Sequence, residues 1–218
     1  MNVSIEIIYQ TLIGTETSFQ SEEMRAAKAL LIAEDFERTG RAKKILFIDQ
    51  HQSNWTMKEM KKFLTEIETE PHDIKVYFDG GFDLKQKKSG LGAVIYYQQN
   101  KKLHRMRINA TVDELKSNNE AEYAAFHLGL QELDKLGVRN QNVTFIGDSQ
   151  VVINQLLGEW PCLDSELNNW ADRIERKSEQ LGITLDFEVI ARKENKEADQ
   201  LATQALSEVE IMSTVLLD

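Results

Sequence analysis

An internal disulfide is excluded, because the chain has a single cysteine, Cys162, and nothing around it carries the Cys or His spacing of a zinc site. Proline is almost as scarce. One of only two, Pro71, falls in Glu70-Pro71-His72-Asp73, where two periodic patterns meet. Basic residues are in deficit: 26 Lys and Arg against 36 Asp and Glu leave a net charge of −10. That balance argues against broad electrostatic attraction to a polyanion and predicts salt-sensitive contacts wherever a polyanion is bound. No apolar run reaches membrane-spanning length, so no membrane association is expected. The N-terminus lacks the basic, apolar, small-residue order of a signal peptide, and a reducing, cytoplasmic setting is expected. Repeats and low-complexity tracts are missing too. What is present is a chain of 218 residues, 41% apolar and 28% charged, the composition of a folded globular protein with length for one large domain or a medium and a small one.

Periodicity divides the chain near Pro71. Before it, Val3 to Tyr9 alternates as a strand, Gly14 marks a turn, and a second short strand lies near Thr17 to Phe19. Ser21-Glu22-Glu23 reads as an N-cap with acids in the first helical turn, and Ala26, Ala29, Leu30, Ala33 and Phe36 recur at helical spacing until Gly40. Lys44 to Ile48 and a segment near Trp55 predict a second hairpin, followed by a helix from Met57 to about Ile67. The expected product is a small ββαββα domain over residues 1–70, with Trp55 as a core anchor and no cluster of acids, His or Cys. From Ile74 the order changes. Strands are predicted over Lys75–Phe78, Leu91–Tyr97, Lys102–Ala110, Val143–Ile146 and Ile183–Ile190. Helices are predicted over Asn118–Leu136, Ser149–Leu157, Leu163–Leu181 and Lys196–Leu206, which implies a mixed sheet covered by helices over residues 74–206. Residues 207–218 are expected to be a C-terminal tail.

Four carboxylates at the edges of these segments carry most of the chemistry: Asp79, Glu122, Asp148 and Asp199. Asp79 and Asp148 each follow an apolar strand, at the carboxyl ends where α/β sites are built. Glu122 stands about one turn into the long helix and Asp199 opens the last one. Each alone has a structural reading. Asp148-Ser149 also fits the N-cap of the helix that follows, and Glu122 and Asp199 fit exposed helix positions. Jointly, if the two strands are neighbours, all four reach one point, and converging acids repel unless divalent cations neutralise them. Glu120 points to another face of the helix and is assigned to solvent. His127, one turn beyond Tyr123, reads as a packing or surface histidine.

The four segments also resemble the type 1 ribonuclease H family from about Ile74 to Leu206. They are Tyr77-Phe78-Asp79-Gly80, Ser117-Asn118-Asn119-Glu120-Ala121-Glu122-Tyr123, Gly147-Asp148-Ser149-Gln150 and Glu194-Asn195-Lys196-Glu197-Ala198-Asp199. The resemblance implies a ribonuclease H-like α/β fold: a five-stranded mixed sheet with helices on both faces, preceded here by the small α+β domain. It further implies an endonuclease that cleaves the RNA strand of RNA/DNA hybrids, leaving a 3′-hydroxyl and a 5′-phosphate. Two Mg²⁺ ions, with Mn²⁺ as an alternative, would be held by Asp79, Glu122, Asp148 and Asp199. Asn118 and Asn119 match residues that read 2′-hydroxyls in the minor groove, Ser117 a phosphate contact, Gln150 a minor-groove contact, and Gly80 a substrate contact. Arg192 matches a basic residue near the site, although a solvated loop arginine explains it nearly as well.

The chain departs from the family beside Asp79. Phe82 to Lys88 fills a substrate loop without the usual Asn-Pro-Gly turn, so that Lys85, Lys87 and Lys88 are either replacement phosphate contacts or a solvated loop. A lysine-rich insertion after Gly158-Glu159-Trp160-Pro161 and a histidine in the segment before Asp199 are both missing. Two other readings therefore stand beside the hybrid nuclease. One is a non-catalytic or weakly active nucleic-acid-binding or interaction module. The other, a 3′–5′ exonuclease, needs an Asp-x-Glu that Asp79-Gly80-Gly81 does not supply.

Overall fold

Alternating apolar residues form strands in two separate sheets in the computed structural model, which describes residues 1–217. Contacts divide the chain into two units, Met1–Thr69 and a second from Glu70 onward, each with its own core.

The N-terminal unit runs β1 (Asn2–Gln10), β2 (Glu16–Gln20), β3 (Met24–Arg25), α1 (Ala26–Arg38), β4 (Ala42–Asp49), β5 (Asn54–Thr56) and α2 (Met57–Thr69). The sheet order is β2-β1-β4-β5, with β3 paired to the start of β1, and every pairing is antiparallel. Val3, Ile5, Ile7 and Phe47 are buried with Ala26, Ala29 and Ala33 of α1 and Met60 of α2. The expected ββαββα order is present, with β3 added. The helix start differs. Ser21 does not cap it: its hydroxyl accepts from Ile5 N (2.9 Å), and Met24-Arg25 then pairs along β1, so α1 begins only at Ala26 without an acid in its first turn. Trp55 packs on Phe63 (5.3 Å between rings) and donates its indole N–H to Asp49 (2.9 Å), which makes it part of this small core.

The C-terminal unit begins with an antiparallel meander, β6 (His72–Asp83), β7 (Lys88–Gln99) and β8 (Lys102–Val112). It continues through α3 (Asn118–Lys135), β9 (Asn142–Gly147), α4 (Gln150–Leu156), α5 (Ser165–Leu181), β10 (Thr184–Val189), α6 (Lys196–Leu206) and β11 (Met212–Leu217). The sheet order is β10-β9-β6-β7-β8-β11, with β10, β9 and β6 parallel to one another. Ile74, Val76 and Phe78 project toward α3, where Val76 and Phe145 fill the space left by Gly129. On the opposite face α6 lies directly on β7. Side chains at Gly90 and Gly92 would enter the carbonyls of Ala202 and Ala198, so only glycine admits this approach.

Two expectations are corrected. Residues beyond Leu206 are no tail: β11 pairs antiparallel with β8 from Met212↔Ile108 to Leu217↔Leu103, so the sheet has six strands. Buried Asn109 fixes this turn, donating to Leu201 O (3.1 Å) and Val209 O (2.8 Å) and accepting from Ile211 N (2.7 Å). The segment Phe82–Lys88 is the tip of a hairpin and not an open loop, because β6 and β7 stay paired to Asp83↔Lys88. Only Leu84–Lys87 turn, held by the Asp83 carboxylate, which accepts from Lys85 N (2.7 Å) and Gln86 N (3.1 Å).

Candidate active site

The parallel register of β6 and β9 ends at Tyr77↔Ile146, and two residues further along lie Asp79 and Asp148. β9 stops at Gly147, whose missing side chain leaves room for the Phe78 ring; a Cβ there would stand 2.7 Å from it. β6 runs on. Asp79 therefore lies inside β6, paired across from Gly92, rather than at the strand's end as its sequence context predicts. Asp148 follows β9 as expected, and the two strands are adjacent.

Gly80 draws in the third acid. A side chain here would occupy the Ala121 carbonyl, so β6 passes against the first turn of α3, where the Gly80 backbone favours the ionised form of Glu122. Asp199 comes from the first turn of α6, on the other face of the sheet. Buried Asn195, immediately before that helix, donates its amide to both Phe78 O (2.8 Å) and Asp148 Oδ1 (2.8 Å), tying the start of α6 to β6 and β9. It was legible only as part of a motif and its role was not. Asp148 is thus a hydrogen-bonded member of the cluster; the cap position of α4 belongs to Ser149.

Electrostatics show that the acids share one region. Burial first, then the charges of Asp148 and Asp199, push the Asp79 carboxyl up to about 7, with Arg192 opposing. Burial, then Asp79 and Asp148, push Glu122 up to about 9, and its Oε2 is buried without a hydrogen-bond partner. Arg192 pairs with Asp199 (2.9 Å) while most of its side chain stays in solvent. It feels Asp79 and Asp148 as well, so it is a cation of the site and not a detached loop residue. Among the described residues no group of three or more Asp, Glu, His or Cys stands at metal-holding spacing. The acids are neighbours around a shared region, not a closed cage. An orphaned buried carboxylate oxygen and an all-oxygen donor set still fit a hard divalent cation.

The remaining predicted positions divide. Ser117 caps α3, accepting from Glu120 N (3.2 Å), and Asn118 Oδ1 accepts from Phe82 N (3.3 Å), so both have structural partners. Asn119 and Gln150 are exposed, at the starts of α3 and α4. Gly80 is buried under α3, where its function is to let the two backbones meet. Glu120 is not in solvent: it is 6% exposed, and its carboxylate reaches back to Lys116 N (2.5 Å) in a capping-box-like arrangement. Lys88 is engaged by Glu208 (2.8 Å), which leaves Lys85 and Lys87 as the open lysines of the hairpin.

The reverse transcriptase-like family profile matches residues 77–205, from within β6 to the end of α6. The chain belongs to this family. A relative, the uncharacterized protein YpeP of Bacillus subtilis (strain 168), is 42% identical over 205 residues, 94% of this chain and 90% of that one. Ribonuclease H1 of the halophilic archaeon Halobacterium salinarum NRC-1 is 25% identical with a TM-score of 0.53, covering 62% of this chain and 98% of that one. LC11 ribonuclease H1, isolated from compost by a metagenomic approach and solved in complex with an RNA/DNA hybrid, is 24% identical with a TM-score of 0.55, covering 62% and 98%. The C-terminal unit of this reverse transcriptase-like protein has the type 1 ribonuclease H fold, the fold of nucleic-acid-cleaving nucleases.

Proposed function

We propose that the protein is a metal-dependent endonuclease that hydrolyses the RNA strand of RNA/DNA hybrids. One observation carries this reading: four acids from β6, α3, the end of β9 and α6 are brought into one region, with a buried, unpartnered Glu122 oxygen among them. Asp79, Glu122, Asp148 and Asp199 would hold Mg²⁺, with Mn²⁺ as the alternative; the bound ion supplies an activated water and stabilises the leaving oxygen. The chain's own groups do the rest. Asn195 fixes Asp148, and Gly80 fixes the approach of Glu122 to Asp79. Arg192 keeps one positive charge beside the acids and is free at its outer edge for a phosphate. Asn118 and Asn119, at the start of α3, take the minor groove and its 2′-hydroxyls, with Ser117 and Gln150 beside them. The hybrid bound by LC11 ribonuclease H1 supports this choice of substrate.

A second reading, a binding module without turnover, is favoured by the hairpin beside Asp79, where Glu208 occupies Lys88. One experiment separates the two. With Mg²⁺ or Mn²⁺ at low salt, the protein is expected to cleave the RNA of a labelled hybrid, and Asp148→Asn to abolish cleavage. Hybrid binding without cleavage in either metal would establish the module instead.

A further inference from the structure

We propose that the outer ridge of α5 formed by Arg173 and Arg176, flanked by Trp170 and by His127 of α3, docks the sugar-phosphate backbone of a nucleic-acid duplex away from the four acids. The inference rests on the nuclease reading for its partner, but its residues lie outside the candidate active site.

The sequence of α5 separates its charges. Leu167, Ile174, Ser178 and Leu181 are buried and define the inner face. At 100° per residue, Asn169, Arg173, Arg176 and Gln180 fall on one outer flank, with Glu166 two turns before Arg173 at its N-terminal end, and Asp172, Glu175 and Glu179 fall on the other. The acidic flank turns toward β10, sharing a cavity with Leu185 and Phe187. The basic flank turns toward α3 and borders a shallow depression of about 400 Å³ lined by His127, Arg173, Arg176, Lys177 and Gln180. In a chain of net charge −10, this surface holds two arginines that no carboxylate pairs with among the described residues.

Both arginines are positioned and unspent. The Arg173 guanidinium lies over the Trp170 ring at 4.8 Å, which uses its flat face and leaves the in-plane N–H donors to solvent. Arg176 gives its Nε–H to Asp172 O (3.0 Å), so its two terminal nitrogens stay open. Among the described residues no carboxylate pairs with either side chain. Lys177 is different: Asp134 takes it at 2.5 Å and also takes Arg139. His127 packs edge-on against Trp170 (5.7 Å), and burial, then Arg173 and Lys177, hold it below the usual histidine range. It offers a neutral ring, not a charge. The free charge of the patch is therefore two guanidiniums, in the fork geometry that suits phosphate.

Position favours a nucleic acid over an acidic peptide. His127 lies eight residues beyond Asn119 on α3, about 12 Å along the axis. A duplex engaged at Asn119 carries a phosphate about every 3.4 Å per strand, so its backbone continues over that distance. Lacking a lysine-rich insertion after α4, the chain has this ridge as its nearest unpaired basic surface on α5.

The test is hybrid binding by the full-length protein without metal, followed by anisotropy across a salt series with a duplex of about 30 base pairs. Arg173→Ala/Arg176→Ala is expected to weaken binding about tenfold at low salt and to reduce the slope of log K against log salt by about two, as two lost phosphate contacts require. Arg173→Lys/Arg176→Lys should recover most of the slope. Arg176→Glu alone, which disturbs only one backbone hydrogen bond, should weaken binding in the same direction even if the double variant fails to fold. An unchanged slope, Lys variants as weak as Ala, or a wild-type protein that binds no hybrid would each overturn the proposal. Arginine-dependent binding without any Mg²⁺-dependent cleavage would keep this surface and remove the nuclease reading. Cleavage with arginine-independent binding would do the reverse.

Discussion

The buried amide of Asn195 holds Asp148 and the Phe78 carbonyl with one nitrogen, while its own Oδ1 has no partner. Asn195→Ala removes both bonds from a buried position, so a loss of about 1–3 kcal/mol in thermal or denaturant unfolding is expected, together with lower hybrid cleavage. Asn195→Asp keeps the shape but turns an acceptor toward Asp148, and should reduce cleavage further than Ala; equal activity in the two variants would show that Asp148 needs no positioning. Asp79 and Glu122 make a separate prediction. Both carboxyls are raised in the folded protein, from 3.8 to about 7 and from 4.5 to about 9. A raised folded value means that stability is fully present below the ordinary carboxylate range and is lost as pH rises through the raised values. Metal-free protein should therefore melt at progressively lower temperature from about pH 4 to about pH 9, and Glu122→Gln should flatten that fall. Mg²⁺ should raise the melting temperature more at about pH 8 than at about pH 6, because there are more ionised acids for it to neutralise. A melting temperature that is flat in pH and indifferent to Mg²⁺ would contradict the cluster's role.

At the scale of elements, what could be read in advance followed from period and flanking residues, and what could not followed from contacts distant in sequence. The pattern of α6 reads cleanly because Asn195 and Lys196 open it and Ala198, Leu201, Ala202 and Ala205 repeat at helical spacing. Face geometry alone assigns Glu120 to solvent, whereas a first-turn acid is free to fold back on the backbone N–H of Lys116. Ser21 reads as a cap, but its hydroxyl accepts from Ile5 N of β1. The sequence around Asp79 reads as a strand end, but Gly80 after it marks close approach to α3 and not termination. The largest miss is β11, whose strand character depends on Asn109, about 100 residues earlier. Truncation after Ser207 removes two of Asn109's partners and the Lys88–Glu208 pair, and bares the edge of β8. The truncated protein is expected to melt about 5 °C or more lower and to scatter light on heating. An unaltered melt would mean that the strand adds nothing to the sheet's stability.

At the scale of the whole molecule, the two units divide fold from candidate chemistry. All four acids, Arg192, Asn195 and the α5 ridge belong to the C-terminal unit, which has its own core built on Phe78, Phe126 and Phe145. The N-terminal unit closes its own, smaller core around Phe47 and Met60, and the family match begins only at residue 77. YpeP is matched over both units, so the pairing of the two is not peculiar to this chain. A fragment beginning at Glu70 is therefore expected to fold cooperatively and to cleave a short hybrid within about threefold of the full chain, because no group assigned to the reaction is removed. The informative measurement is affinity for a long hybrid across salt. A fragment that binds as tightly as the full chain, with the same salt slope, assigns the N-terminal unit to a structural or partner-binding task. A fragment with a lower affinity and a shallower slope assigns it phosphate contacts, each worth about 0.9 in that slope. A fragment that fails to fold would refute the independence of the two cores, and with it the division of labour between them.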